Sequence, residues 1–174
     1  AHASTPDVGN NALTGLLVFL GKLDFASCPQ VDMVRKTASL FPHGDVNGKT
    51  LGVAMEDELS GNLTLSFNML SVDAASMDGE FDGRIPVCGN DENVLEVVRA
   101  RMAEQGLTLL NKALIPPHHV SADSYFVKTL LAAFELYTGR KGECQALGGG
   151  TYVHHLENGV AFGAAMPETD NKMH

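Results

Sequence analysis

The run LTLSFNM at residues 63–69 puts the tightest limit on how this chain folds. Leu63, Leu65, Phe67 and Met69 alternate with Thr64, Ser66 and Asn68. Successive side chains on a strand point to opposite faces, so a period of two predicts a strand buried on one side only. After a turn near residues 77–79, residues 80–87 are predicted as a second strand that pairs with it. Upstream, a loop and helix start at residues 6–11 lead into Leu13, Leu16, Leu17 and Leu20 at helical spacing, ended by Gly21. Residues 22–59 mix Pro, Gly, charge and short apolar groups, and little regular structure is predicted there.

Asn90 is a good N-cap for a helix to Gln105, with Asp91 and Glu92 in its favourably negative first turn. Val94, Leu95, Val98 and Met102 form its buried stripe and Gly106 suits the position after its end. Residues 107–115 read as a further strand. One more strand before Ala1 would complete a βαββαβ unit, a ferredoxin-like four-stranded antiparallel sheet with two helices on one face. The expected fold is therefore α+β, with that first strand missing and an α/β segment following.

Pro116 and Pro117 mark a break, and two domains are expected, residues 1–117 and 118–174. A helix over residues 124–138 is predicted next, with Phe126, Leu130, Ala133, Phe134 and Tyr137 on one side. Then come a glycine loop opening a short helix, ALGGGTYVHHL, and an apolar strand, GVAFGAAMP, ended by Pro167.

Composition narrows the function classes. A net charge of −9 argues against nucleic acid or an anionic membrane as a partner. No apolar run approaches the ~18 residues that span a bilayer. Cys28, Cys88 and Cys144 lie far apart without a CxxC pair, which fits neither a disulfide scaffold nor a Cys-rich zinc site and points to the cytoplasm.

Several groups could carry chemistry. His43 and Asp45 in FPHGDV have the spacing by which a strand offers two metal ligands, with Glu56, Asp57 and Glu58 as further carboxylates. Pro42 before them and Asn47–Gly48 after them favour a turn instead, where that geometry is lost. Gly148, Gly149 and Gly150 before Thr151 let a backbone approach a ligand or a neighbouring strand. Arg84, on the predicted second strand, has the planar fork that clamps carboxylates, although such an arginine is commonly a solvated surface group. The adjacent pairs His118–His119 and His154–His155 diverge on any regular element, so neither pair alone grips an ion.

The two ends of the chain resemble a known family. GGGTYVHHLENGVAFGAAMPETDNKMH is similar to the C-terminal segment of cytosolic dipeptidases in the aminoacylase/carboxypeptidase/dipeptidase family of co-catalytic zinc metallopeptidases. The nearest branch is the PepV-type, Xaa-His (carnosinase-like) dipeptidases. AHASTPDVGNNALTGLLVFL resembles the family stretch that opens the lid-domain helix, and GVAMEDELSGNLTLSFNMLSVD and FDGRIPV fit lid strands. The resemblance covers nearly the whole chain in the right order.

That resemblance implies roles residue by residue. His2 would hydrogen-bond the scissile carbonyl oxygen as it becomes an oxyanion. Arg84 would bind the C-terminal carboxylate of a dipeptide, with Gly150 and Thr151 holding the same end. His174 would ligate one of two divalent metal ions: zinc, manganese or cobalt. Val153–His154 departs from the Ala-Arg common in the family, which leaves the loop arginine's role unfilled. The family's remaining metal ligands and general base precede the lid, so they would lie upstream of Ala1. The expectation is a lid domain plus the final catalytic segment of a metallo-dipeptidase, inactive and metal-free alone. The competing expectation is a non-catalytic α+β binding or oligomerisation module, self-associating through the sheet edge that a missing strand leaves open.

Overall fold

In a computed structural model, residues 2–163 and 166 are described. The chain divides into two compact units, Ala1–Pro117 and His118–His174. The mixed α+β class read from the sequence is what the described residues form.

The first unit opens with a 3-10 turn, Pro6–Val8, and helix α1, Ala12–Gly21. Asn11 caps α1: its Oδ1 accepts the N–H groups of Leu13 and Thr14, two donors that a helix start leaves without partners. Helix α2, Pro29–Leu40, lies in the stretch expected to lack regular structure. Its signals were Pro29 in the first turn, where a missing N–H costs nothing, and Asp32 in the same turn. Its polar composition hid its inner face, of which Thr37 and Leu40 are buried.

The predicted strand forms as β3, Thr64–Val72, after the minimal pair β1, Glu56–Asp57, and β2, Gly61–Asn62. Its partner is β4, Met77–Arg84, antiparallel, with Thr64 opposite Arg84 and Phe67 opposite Phe81. The turn falls at residues 73–76 instead of 77–79. Asp73 makes it, accepting the backbone N–H groups of Ala75 and Ser76 on one carboxylate oxygen. Gly79 is instead a strand residue under the Phe67 ring, where a Cβ would come within 3.1 Å of the ring carbons. A bulge between Phe67 and Met69 ends the alternation, so Met69 is exposed.

Asn90 caps the next helix as expected, in a reciprocal capping box with Asn93. Asp91–Leu95 forms a wide π turn that continues as α3, Glu96–Glu104, and Gly106 follows at φ +75°. Residues 107–115 do not form the predicted third strand, so no four-stranded sheet assembles; the described residues make two two-stranded antiparallel sheets. The alternation is present, since Leu107 and Leu109 face the core and Leu110 faces water. The backbone, however, is engaged by the preceding helix and its side chains. Leu107 N–H bonds Met102 O, Leu114 N–H bonds the Asp91 carboxylate, and Asn111 O accepts from Arg99.

The core of this unit gathers Leu17, Leu40, Phe41, Leu51, Val53, Leu63, Leu65, Phe67, Val94 and Val98. Phe41 stacks on Phe67 at 4.6 Å between ring centroids and meets Phe81 at 5.2 Å. Truncating an aromatic so placed costs about 3–5 kcal/mol, making Phe67→Ala the substitution most damaging to the hairpin. The core thus anchors one face of β3–β4 and leaves the other outward.

The second unit is built differently. Helix α4, Tyr125–Thr138, is capped by Ser124 Oγ on Val127 N–H and closed by Gly139 at φ +67°. Val127 is its buried residue, whereas Phe126 and Tyr137, expected on the inner side, are exposed. Tyr152–His155 forms a 3-10 turn after the glycine loop, as the short helix predicted there. Residues 159–163 do not form the strand predicted from GVAFGAAMP. The rest of that segment, apart from Met166, lies outside the described residues. No helix among the described residues is long and apolar enough to cross a membrane.

Candidate functional site

Alternation on the hairpin sorts its residues into two faces. Leu65 and Phe67 pack inward, and their cross-strand partners are Gly83 and Phe81. Thr64 and Ser66 point the other way, opposite Arg84 and Asp82. Residues directly opposite in an antiparallel pair share a face, so the outward side of the hairpin carries a hydroxyl pair and an ion pair.

The chain's start is fastened to this face. Thr64 Oγ1 donates to Ala3 O at 3.3 Å, and the Asn11 amide donates to Phe67 O at 2.8 Å. His2 lies in a turn closed by Thr5 N–H to His2 O, and its Nδ1 accepts the Ser4 N–H at 3.2 Å with Ser4 Oγ 2.8 Å away. A ring nitrogen that accepts a backbone N–H leaves the proton of a neutral imidazole on the other nitrogen, Nε2. His2 and Arg84, distant in sequence, thus belong to neighbouring parts of one surface: Ala3 is bonded to Thr64, and Thr64 faces Arg84.

Arg84 is half-buried and paired with Asp82. Its Nη2 donates to Asp82 Oδ2 at 2.8 Å, and its Nε lies 2.7 Å from Oδ1. The Nε–H is off the line to that oxygen, so this buried nitrogen makes no hydrogen bond among the described residues. Sequence reasoning singled out Arg84 but not Asp82 or Thr64. The signal for Asp82 was its place two residues before Arg84 on a strand, and Thr64 needed the register of the hairpin.

FPHGDV does not form a metal site. Asp45 turns its carboxylate to its own loop, accepting N–H from Asn47, Lys49 and Thr50. Burial pushes its acidity down, but these N–H groups and the Thr50 hydroxyl more than offset that and hold the carboxyl below its usual pKa. His43 Nδ1 instead lies 2.8 Å from Thr14 Oγ1. Asp57 is likewise spent on a turn: the Ser60 N–H and hydroxyl, with N–H groups of Cys88 and Leu59, keep it well below the carboxylate range. Among the described residues, no three His, Cys, Asp or Glu side chains converge as a metal site. His174, the expected metal ligand, lies outside the described residues.

In the second unit, a Cβ at Gly149 or Gly150 would meet no atom of the described residues within 4 Å. Thr151 O accepts the His154 N–H at 3.1 Å, which starts the 3-10 turn. One histidine from each adjacent pair comes together: the rings of His118 and His154 lie 5.6 Å apart, with His118 Nε2 2.7 Å from Gly159 O.

A hairpin with one apolar face, helices against its core and a polar face carrying an arginine–aspartate pair define an α+β protein with a candidate anion-binding surface. No family model matches the chain. Curated relatives do. It is 33% identical over 175 residues to the Beta-Ala-Xaa dipeptidase of Lactobacillus delbrueckii subsp. lactis, covering 100% of this chain and 37% of the relative. It is 36% identical over 178 residues to the putative dipeptidase YtjP of Bacillus subtilis, covering 99% of this chain and 36% of that protein. A putative dipeptidase of Staphylococcus epidermidis is 30% identical over 175 residues, 99% of this chain and 37% of the relative. The chain is a homologue of dipeptidases, as the motifs at its two ends implied, and it spans little more than a third of the length of these relatives.

Proposed function

We propose that this chain forms the lid domain, residues 1–117, and the last catalytic segment, residues 118–174, of a metal-dependent dipeptidase acting on small dipeptides such as Xaa-His. One observation supports this above the rest. The His2 turn is bonded to Thr64, which stands opposite Arg84 at one end of the polar hairpin face, in a chain similar throughout to dipeptidases. In this reading the Arg84 fork takes the C-terminal carboxylate of the dipeptide. Gly150 and Thr151 hold the same end, in a loop whose backbone is uncrowded. His2 presents its Nε2–H to the scissile carbonyl oxygen, where charge grows as water adds; a single aimed donor of this kind is worth about 10²–10³ in kcat.

Among the described residues no three His, Cys, Asp or Glu side chains converge as a metal site. In the proposed reading two divalent ions (zinc, manganese or cobalt), ligated by His174 and by residues of a longer protein, supply the Lewis acid and the activated water. The setting is the cytoplasm, where Cys28, Cys88 and Cys144 remain the free thiols seen here.

The test compares the purified 174-residue chain with a protein of the relatives' length on Xaa-His dipeptides, with added Zn²⁺ or Mn²⁺. The longer protein should turn over and stop when a chelator is added, whereas the chain alone should not. Chelator-sensitive turnover by the chain itself, or none by the longer protein, would sink the proposal.

A further inference from the structure

We infer that Asp82 is a positioning residue for Arg84, holding its guanidinium on the polar hairpin face with one edge presented to a carboxylate. The inference rests on the reading of Arg84 as the group that takes the dipeptide's C-terminal carboxylate. Three observations carry it. Asp82 and Arg84 sit two residues apart on β4, so they share a face, and that face also holds Thr64, to which the His2 turn is bonded. Asp82 approaches the guanidinium from its Nε and Nη2 side, at 2.7 and 2.8 Å. Arg84 Nη1 has no hydrogen-bond partner among the described residues, which leaves the Nη1–Nη2 edge for a planar, two-oxygen acceptor.

The pair has little other use. Both side chains are about one-third exposed, and ion pairs of that kind add little to folding. Its value lies in order. An unheld arginine loses its rotamer freedom when the ligand arrives, whereas one already clamped does not. Clamping carries a cost, because the Asp82 charge repels an incoming carboxylate. The two effects have opposite signs, so experiment can separate them. If Asp82 only neutralises Arg84, removing it tightens carboxylate binding; if it positions Arg84, removing it weakens binding.

The experiment uses the dipeptidase of the relatives' length. It compares a free-acid dipeptide with its C-terminal amide in the parent enzyme and in Asp82→Ala, Asp82→Asn and Arg84→Ala. Asp82→Ala should raise KM for the free acid about tenfold, with kcat within about twofold and the amide unaffected, the loss expected when a charged hydrogen bond is misplaced. Asp82→Asn, which keeps an oxygen to accept from Nη2, should recover most of the loss. Melting of the 174-residue chain carrying Asp82→Ala should match the parent, separating positioning from folding. A lower or unchanged free-acid KM in Asp82→Ala overturns the role of Asp82, provided that Arg84→Ala still erases the preference for the free acid. If Arg84→Ala leaves that preference intact, the reading of Arg84 fails, and this inference with it.

Discussion

Thr64 stands directly opposite Arg84 across the hairpin, and its hydroxyl holds the Ala3 carbonyl at 3.3 Å. One side chain therefore ties the His2 turn to the strand pair that carries the arginine. Thr64→Val keeps the shape and the β-branching but removes the donor, at a cost of about 1 kcal/mol. Amide resonances of Ala3, Ser4 and Thr5 should shift in that variant and return in Thr64→Ser. Unmoved resonances in Thr64→Val would show that the tether does not hold in solution.

Asn11 works at two places at once. Its oxygen caps α1 and its amide nitrogen bonds Phe67 O on β3. Asn11→Ala should lose about 2 kcal/mol, one part from the cap and one from the cross-link. Asn11→Asp keeps the cap and loses only the donor, so it should lie between. Urea denaturation that ranks the two variants the other way would contradict this division.

Acid should destabilise the first unit. Asp45, Asp57 and Asp73 all have pKa values lowered by folding; hydrogen bonds lead for Asp57 and Asp73, and for Asp45 they outweigh its burial. A carboxyl lowered in the folded state contributes stability above its unfolded value, near about 3.9, and loses it as pH falls through the folded value. The urea midpoint should thus be flat from about pH 7 to 5 and fall below about pH 4. Asp45→Asn should flatten that acid limb, and an unchanged limb would remove Asp45 from the account.

His43 should be silent towards metal. Its apparent partner Asp45 is turned to the N–H groups of its own loop, and His43 itself meets Thr14. Zinc titration of His43→Ala should give the same stoichiometry as the parent chain. A lost equivalent of zinc would reinstate the motif as a site.

How much of this was legible beforehand depends on which force decides each element. Strand β3 and helices α1, α3 and α4 follow apolar period and caps, which are local properties. Helix α2 was not legible because its face is short and its composition polar. The β4 register moved because Asp73, not a glycine, closes the turn, and because Gly79 makes room for the Phe67 ring. Residues 107–115 have a strand's alternation but not its ladder, since periodicity reports burial and says nothing of who accepts the backbone bonds. The candidate site divides in the same way. His2 and Arg84 stood out through motifs, whereas Asp82 and Thr64 became visible only once the hairpin's register placed them beside Arg84.

The parity of the hairpin has a consequence for how such a protein changes over generations. Leu65, Phe67 and Phe81 keep the domain folded, while Thr64, Ser66, Asp82 and Arg84 face outward between them in sequence. Substitutions at Thr64, Ser66, Asp82 and Arg84 can therefore change the outward surface while Leu65, Phe67 and Phe81 go on holding the same shape. Shape-holding and outward residues are interleaved one by one along Thr64–Phe67 and the β4 residues opposite, up to the bulge that ends the alternation.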